Sequence, residues 1–147
     1  MDLVLSCYAL PYAPTADALA GMFTTARTVL RPGGRFVAAT LNPDYADESI
    51  HPGHYEPYNM RLTAEVTPPV DGTDLDVVVG FDDPAIPPLT VTAYWWSHAA
   101  CERAADAAGF THLTWRHLTV TDTGRTRYGN LWDNYLRIPH AVILEAV

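Results

Sequence analysis

The heptapeptide Leu-Arg-Pro-Gly-Gly-Arg-Phe at residues 30–36 constrains this chain more than any other segment. It joins a helix-like run to a strand-like run, and a second strand-like run stands just before the helix. Residues 2–7, Asp-Leu-Val-Leu-Ser-Cys, form a short, nearly continuous apolar stretch of the kind that suits a buried parallel strand. Thr15 is a helix N-cap residue, with Asp17 in the first turn where the helix dipole favours an anion. Leu19, Met22, Phe23, Ala26, Val29 and Leu30 recur at helical spacing and form one apolar stripe. Pro32-Gly33-Gly34 stops the helix, and residues 35–41 read as a second buried strand. Strand, helix and strand in this order predict a right-handed βαβ unit with parallel strands.

The rest of the chain changes character. Residues 42–57 read as a loop. Residues 58–66 then alternate apolar and polar, as a half-exposed strand does. With residues 74–81 and 89–96 they predict an antiparallel meander, so that 42–96 is an insertion made of a loop and three strands. Ser97 caps a second helix, and Trp96 before it can staple onto Cys101. Gly109 ends that helix, and Phe110 folds back behind it. Residues 111–121 read as a strand with a bulge near His117, residues 122–139 as a loop, and residues 141–147 as a last strand.

Composition narrows the function. The 147 residues are 48% hydrophobic, enough for one domain with a real core. A net charge of −8 with no basic stripe argues against a nucleic-acid surface. All nine basic residues are arginine, so neither Schiff-base chemistry nor a lysine-bearing phosphate loop is available. No apolar stretch is long enough to cross a membrane, and Asp2 stands where a signal peptide would have a basic residue. Cys7 and Cys101 are far apart and form neither a disulfide framework nor a zinc site, so a cytoplasmic location is expected.

The segments 2–6 and 29–37, with the Leu-Arg-Pro-Gly-Gly turn between helix and strand, resemble the second half of class I S-adenosylmethionine-dependent methyltransferases. The ending is similar too: a helix closing in Ala-Ala-Gly-Phe at 107–110, then two strands like the antiparallel hairpin that completes the family's sheet. The implied fold is α/β, the C-terminal half of a Rossmann-like methyltransferase sheet with an antiparallel β insertion, forming a single partial domain over 1–147. The implied cofactor is S-adenosylmethionine and the implied reaction is methyl transfer to a small-molecule acceptor. One departure is large. The sequence contains no Gly-x-Gly-x-Gly loop and no matching acid for the ribose, so the cofactor pocket is expected to be incomplete in this chain.

Ligands of open α/β sheets bind beyond the carboxyl ends of the parallel strands. That rule selects Ser6, Cys7 and Tyr8 for the cofactor, and Tyr12 and Asn42 for the substrate. Asn42-Pro-Asp-Tyr does not match the Asn-Pro-Pro-Tyr motif of amino-methylating nucleic-acid enzymes, which follows the fourth strand and not the fifth; Asn42 also reads as a turn former. The meander stands where methyltransferases often place a lid, which adds Tyr55, Tyr58 and Trp96 as substrate-binding candidates among many aromatics that also suit a core. His54, His98 and His140 are candidate general bases, though each reads more readily as a surface or capping residue. His51, His54, His112 and His117 have no metal-site spacing, and no metal is expected.

Two functions stay open on the sequence. One is an enzyme that is active once a missing N-terminal half is supplied. The other is a non-catalytic remnant acting as a binding or interaction module. Both leave residues 2–7 as an uncovered sheet edge, so a homodimer or a complementing chain is expected.

Overall fold

The computed structural model describes residues 1–44, 53–80 and 85–147. His51, with the middle of the expected loop 42–57, and the last residue of the expected strand 74–81 fall outside them. Four strands form one sheet: β1 (Leu3–Cys7), β2 (Arg35–Leu41), β6 (Leu113–His117) and β7 (Ala141–Ala146), in the order β1-β2-β7-β6. β1 and β2 are parallel, with Leu3 opposite Arg35 and Cys7 opposite Ala39. β7 runs antiparallel between β2 and β6. The expected βαβ unit and closing hairpin are therefore both present, and the last strand enters the middle of the sheet.

Helix α1 (Ala16–Val29) begins as the sequence predicts: the Thr15 side chain accepts from the Ala18 amide, 3.1 Å away. The Pro-Gly-Gly turn needs both glycines. Gly33 has φ +75°, which a side chain resists, and a Cβ on Gly34 would lie 3.0 Å from the carbonyl oxygens of Met1 and Arg31. Helix α2 (His98–Ala107) is capped by Ser97 and closed by Gly109 at φ +87°, with the Phe110 amide turned back to the Ala105 carbonyl.

α1 and α2 pack together on one face of the sheet. Phe23 of α1 meets Phe36 of β2 and Phe110 edge-on, at 5.6 and 6.3 Å between ring centres, and Trp96, Cys101 and Leu144 join the same core. The opposite face carries Glu145 of β7, which binds Arg35 of β2 at 3.1 Å and Arg116 of β6 at 3.3 Å. β1 has no such cover. Its outer edge is unpaired among the described residues, and Leu5 is 72% exposed.

The insertion folds as expected into a second, antiparallel sheet of β3 (Met60–Ala64), β4 (Asp74–Val79) and β5 (Leu89–Tyr94). Its inner face forms a separate core of Tyr55, Met60, Leu62, Leu75 and Ala93 with Leu41 and Tyr135. Two expectations fail. β6 ends at His117 in regular register, with no bulge and no extension to residue 121. The stretch expected as a loop contains two short helices, α3 (Asp122–Tyr128) and α4 (Asp133–Arg137).

Candidate functional site

The sheet topology assembles a site at the carboxyl ends of β1 and β2. Because β7 runs antiparallel beside β2, its start lies at the same end of the sheet. Leu41 pairs with Ala141, and the Asn42 amide donates to the His140 carbonyl at 2.9 Å. Tyr8 arrives from the other side of β2, just past β1, with its amide on the Ala39 carbonyl at 2.9 Å. Its φ is +53°, a left-handed conformation that costs a non-glycine residue roughly 1–2 kcal/mol and that clusters at functional sites.

That conformation belongs to a chain of three rings. The Tyr8 hydroxyl is 2.8 Å from His140 Nε2, and the Tyr135 hydroxyl is 2.8 Å from His140 Nδ1. The Tyr8 and His140 rings are stacked nearly parallel, 5.8 Å apart. Burial lowers the His140 pKa to about 4, so the imidazole is neutral at pH 7. A neutral imidazole has one N–H and one lone pair. One phenol therefore donates to His140 and the other accepts from it. Burial also raises Tyr8, with a smaller contribution from Cys7, and lifts Tyr135 to about 12, with smaller contributions from Tyr8 and Tyr58. Every member of the chain is uncharged at neutral pH.

Tyr8 and His140 line a chamber of about 260 Å³ between the two sheets. Its other walls are Pro11 and Tyr12, Leu41 and Met60, and the meander residues Val77, Val79, Val91 and Ala93. Two larger hollows lie elsewhere. One of about 670 Å³ follows the seam between α1 and α2, and one of about 480 Å³ runs between β1 and α1.

The expected site residues separate into groups. Tyr8 and Tyr12 meet at the chamber, and His140 joins them. Asn42 sits beside it, 1% exposed, with its side chain donating to the Pro139 carbonyl and accepting from the Asp44 amide, each at 2.9 Å. Tyr55 is 1% exposed under the chamber, and its hydroxyl donates to the Ile138 carbonyl. Tyr58 stacks on Trp132 and bridges the Leu131 carbonyl and the Tyr135 amide. Trp96 lies in the α1–α2 core instead. Ser6 faces the groove between β1 and α1, with its hydroxyl buried and unpartnered among the described residues, while Cys7 is exposed. His98 pairs with Asp44 at 2.7 Å, with His117 3.9 Å from the other carboxylate oxygen. His54 packs edge-on against Tyr55, 4.4 Å between ring centres. No group of three or more metal-ligating side chains occurs among the described residues. Tyr135 enters the sequence reading only as one of the chain's many aromatics and is not singled out there. It lies in the stretch read as a loop, and no local pattern marks it.

No family model matches the sequence, and no curated protein does. Solved structures do. An S-adenosylmethionine-dependent methyltransferase from Clostridium acetobutylicum superposes with a TM-score of 0.59 at 11% identity, covering 99% of this chain and 57% of that one. One from Mesorhizobium loti gives 0.57 at 22% identity, covering 99% and 61%. This is the methyltransferase fold. A glycopeptide N-methyltransferase crystallised with S-adenosylhomocysteine shares it, with a TM-score of 0.53 at 14% identity, covering 100% of this chain and 54% of that one. The chain thus spans little more than half the length of the methyltransferases it resembles. Among the described residues, no helix is long and apolar enough to cross a membrane.

The methyl donor fits this part of the methyltransferase fold only partly. Of the residues that the resemblance assigns to a methyl donor, Ser6 has a buried hydroxyl with no partner among the described residues, Cys7 is exposed and Tyr8 is bound to His140, and the sequence has no Gly-x-Gly-x-Gly loop.

Proposed function

We propose that this chain is the acceptor-binding part of an S-adenosylmethionine-dependent methyltransferase acting on small molecules. The observation that carries the reading is the chamber itself. It opens at the carboxyl ends of the parallel strands, where α/β sheets bind ligands, and residues of the 42–96 insertion roof it as a lid. Methyl transfer is an in-line displacement that depends chiefly on positioning, and a small apolar chamber supplies positioning. No step through the donor is derived from this chain, because its cradle is incomplete here. On this reading the remainder of the donor site comes from a strand–glycine-loop unit docked against β1, carried on the same polypeptide or on another. The unpaired edge of β1 and the exposed Leu5 support such docking.

Calorimetric titration with S-adenosylhomocysteine tests the reading. The 147-residue chain should bind it weakly or not at all, and addition of the complementing unit should restore micromolar affinity. Sub-micromolar binding by the chain alone would overturn the split pocket. A second reading, a binding module without transfer activity, is favoured by the lack of a Gly-x-Gly-x-Gly segment in the sequence. It predicts no donor affinity in either experiment.

A further inference from the structure

We propose that the chamber binds a small apolar molecule through a single hydroxyl group, held by Tyr8 and oriented by the Tyr8–His140–Tyr135 chain. The proposal rests on reading the chamber as the acceptor site, and it adds the class of molecule.

The lining sets that class. Among the described residues it contains Tyr8, Tyr12 and His140 with aliphatic, methionine and proline side chains, and no carboxylate, guanidinium or other fixed charge. An ammonium or a carboxylate would enter this chamber without a counter-charge, which is strongly unfavourable. A volume of about 260 Å³ lies just below the ~300–1,000 Å³ of sites for drug-sized ligands, so it suits a single ring with short substituents. Among the described residues the Tyr8 hydroxyl has one hydrogen-bond partner, His140 Nε2. A phenol has one donor and two acceptor positions, so capacity remains on the chamber side.

The three-ring chain favours a hydroxyl over a group that only donates or only accepts. If Tyr8 donates to Nε2, its oxygen is left to accept. If Nε2–H donates to Tyr8, the phenol proton is left to donate. The two arrangements differ only in where the protons sit, and Tyr135 on Nδ1 takes the complementary role in each. A ligand hydroxyl can donate or accept, so it satisfies both. A carbonyl or an ether satisfies one. The strained backbone at Tyr8 fixes the phenol at this junction, so His140 and Tyr135 act as positioning residues.

The test uses p-cresol and toluene as probes on the 147-residue chain, with imidazole nitrogen shifts followed by NMR. A neutral hydrogen bond gives p-cresol roughly a two- to tenfold tighter dissociation constant than toluene. p-Cresol should move both His140 nitrogens, and toluene should leave them in place. Tyr8→Phe should bring the two affinities together. Equal affinities in the wild type, unmoved His140 nitrogens, or a preference that survives Tyr8→Phe would each overturn the proposal. The wild-type shifts decide the matter even if Tyr8→Phe folds poorly. No methyl donor takes part, so a failure here leaves the donor titration standing, and a failure of that titration leaves this result standing.

Discussion

The indole Nε1 of Trp96 donates a 3.1 Å hydrogen bond to the carbonyl oxygen of Ala13, and both residues are buried. The bond ties the entry of α2 to the entry of α1. It makes Trp96 a brace between the two helices, some way from the meander roof that the sequence suggested for it. Trp96→Phe keeps an aromatic ring but leaves the Ala13 carbonyl buried and unpaired. The expected loss is roughly 2–3 kcal/mol in urea unfolding, from the orphaned acceptor and the volume left behind. p-Cresol binding should be unchanged at equal folded fraction.

His140 makes stability depend on pH in a definite direction. Its pKa falls from 6.5 in the unfolded chain to about 4 in the folded one. Between those values the unfolded state binds more protons, so stability is full above about pH 6.5 and is lost as pH drops towards 4. Among the described residues, the rings facing it include those of Tyr8, Tyr135 and Tyr55. The contribution is on the order of 3 kcal/mol. Urea midpoints at pH 7, 6 and 5 should fall more steeply for the wild type than for His140→Asn. Parallel slopes would show that burial of His140 is not what sets the dependence.

The two thiols should react very differently. Cys7 is exposed, whereas burial raises Cys101 to about 12, with smaller contributions from Asp71 and Glu102. Only a thiolate alkylates readily. Iodoacetamide at pH 8 should modify Cys7 in the folded chain, and Cys101 only after denaturation, as peptide mass mapping would show.

The bare β1 edge should recruit a partner. Arg35, Glu145 and Arg116 dress the open face over β2, β7 and β6, but Leu3 and Leu5 of β1 face solvent at 41% and 72% exposure. Light scattering should give an apparent mass above the 16.2 kDa of one chain. Leu5→Lys, which places a charge on that edge, should lower it. A wild-type monomer with slowly exchanging amides along Leu3–Cys7 would count against both a second copy and a docked unit.

Much of this architecture was legible in local sequence. The Thr15 and Ser97 caps and the Pro-Gly-Gly turn state their structure within a few residues and appear where expected, whereas the alternation of 58–66 yields a shorter strand, Met60–Ala64, with Tyr58 in a preceding 3-10 turn. α3 escaped because Asp-Thr-Gly-Arg-Thr-Arg-Tyr has no apolar stripe; the Thr121 cap and short-range bonds define it. The site was legible only in part. Position after a strand is enough to select Tyr8, but its partner His140 is 132 residues away. Tyr135 joins them only because β7 inserts beside β2, and no periodicity encodes that insertion.

The two apolar clusters have a kinetic consequence. One joins α1 and α2 to the four-stranded sheet; the other lies beneath the meander, and part of the latch between the halves is polar: Tyr55 on Ile138 and Tyr58 on Leu131. Releasing those bonds lets the meander swing away while the Phe23–Phe36–Phe110 cluster stays dry. Amide exchange should therefore come in two instalments, with β3–β5 opening at lower free energy than β2 and β7. A chamber whose roof belongs to the looser instalment can admit and release its guest without unfolding the floor.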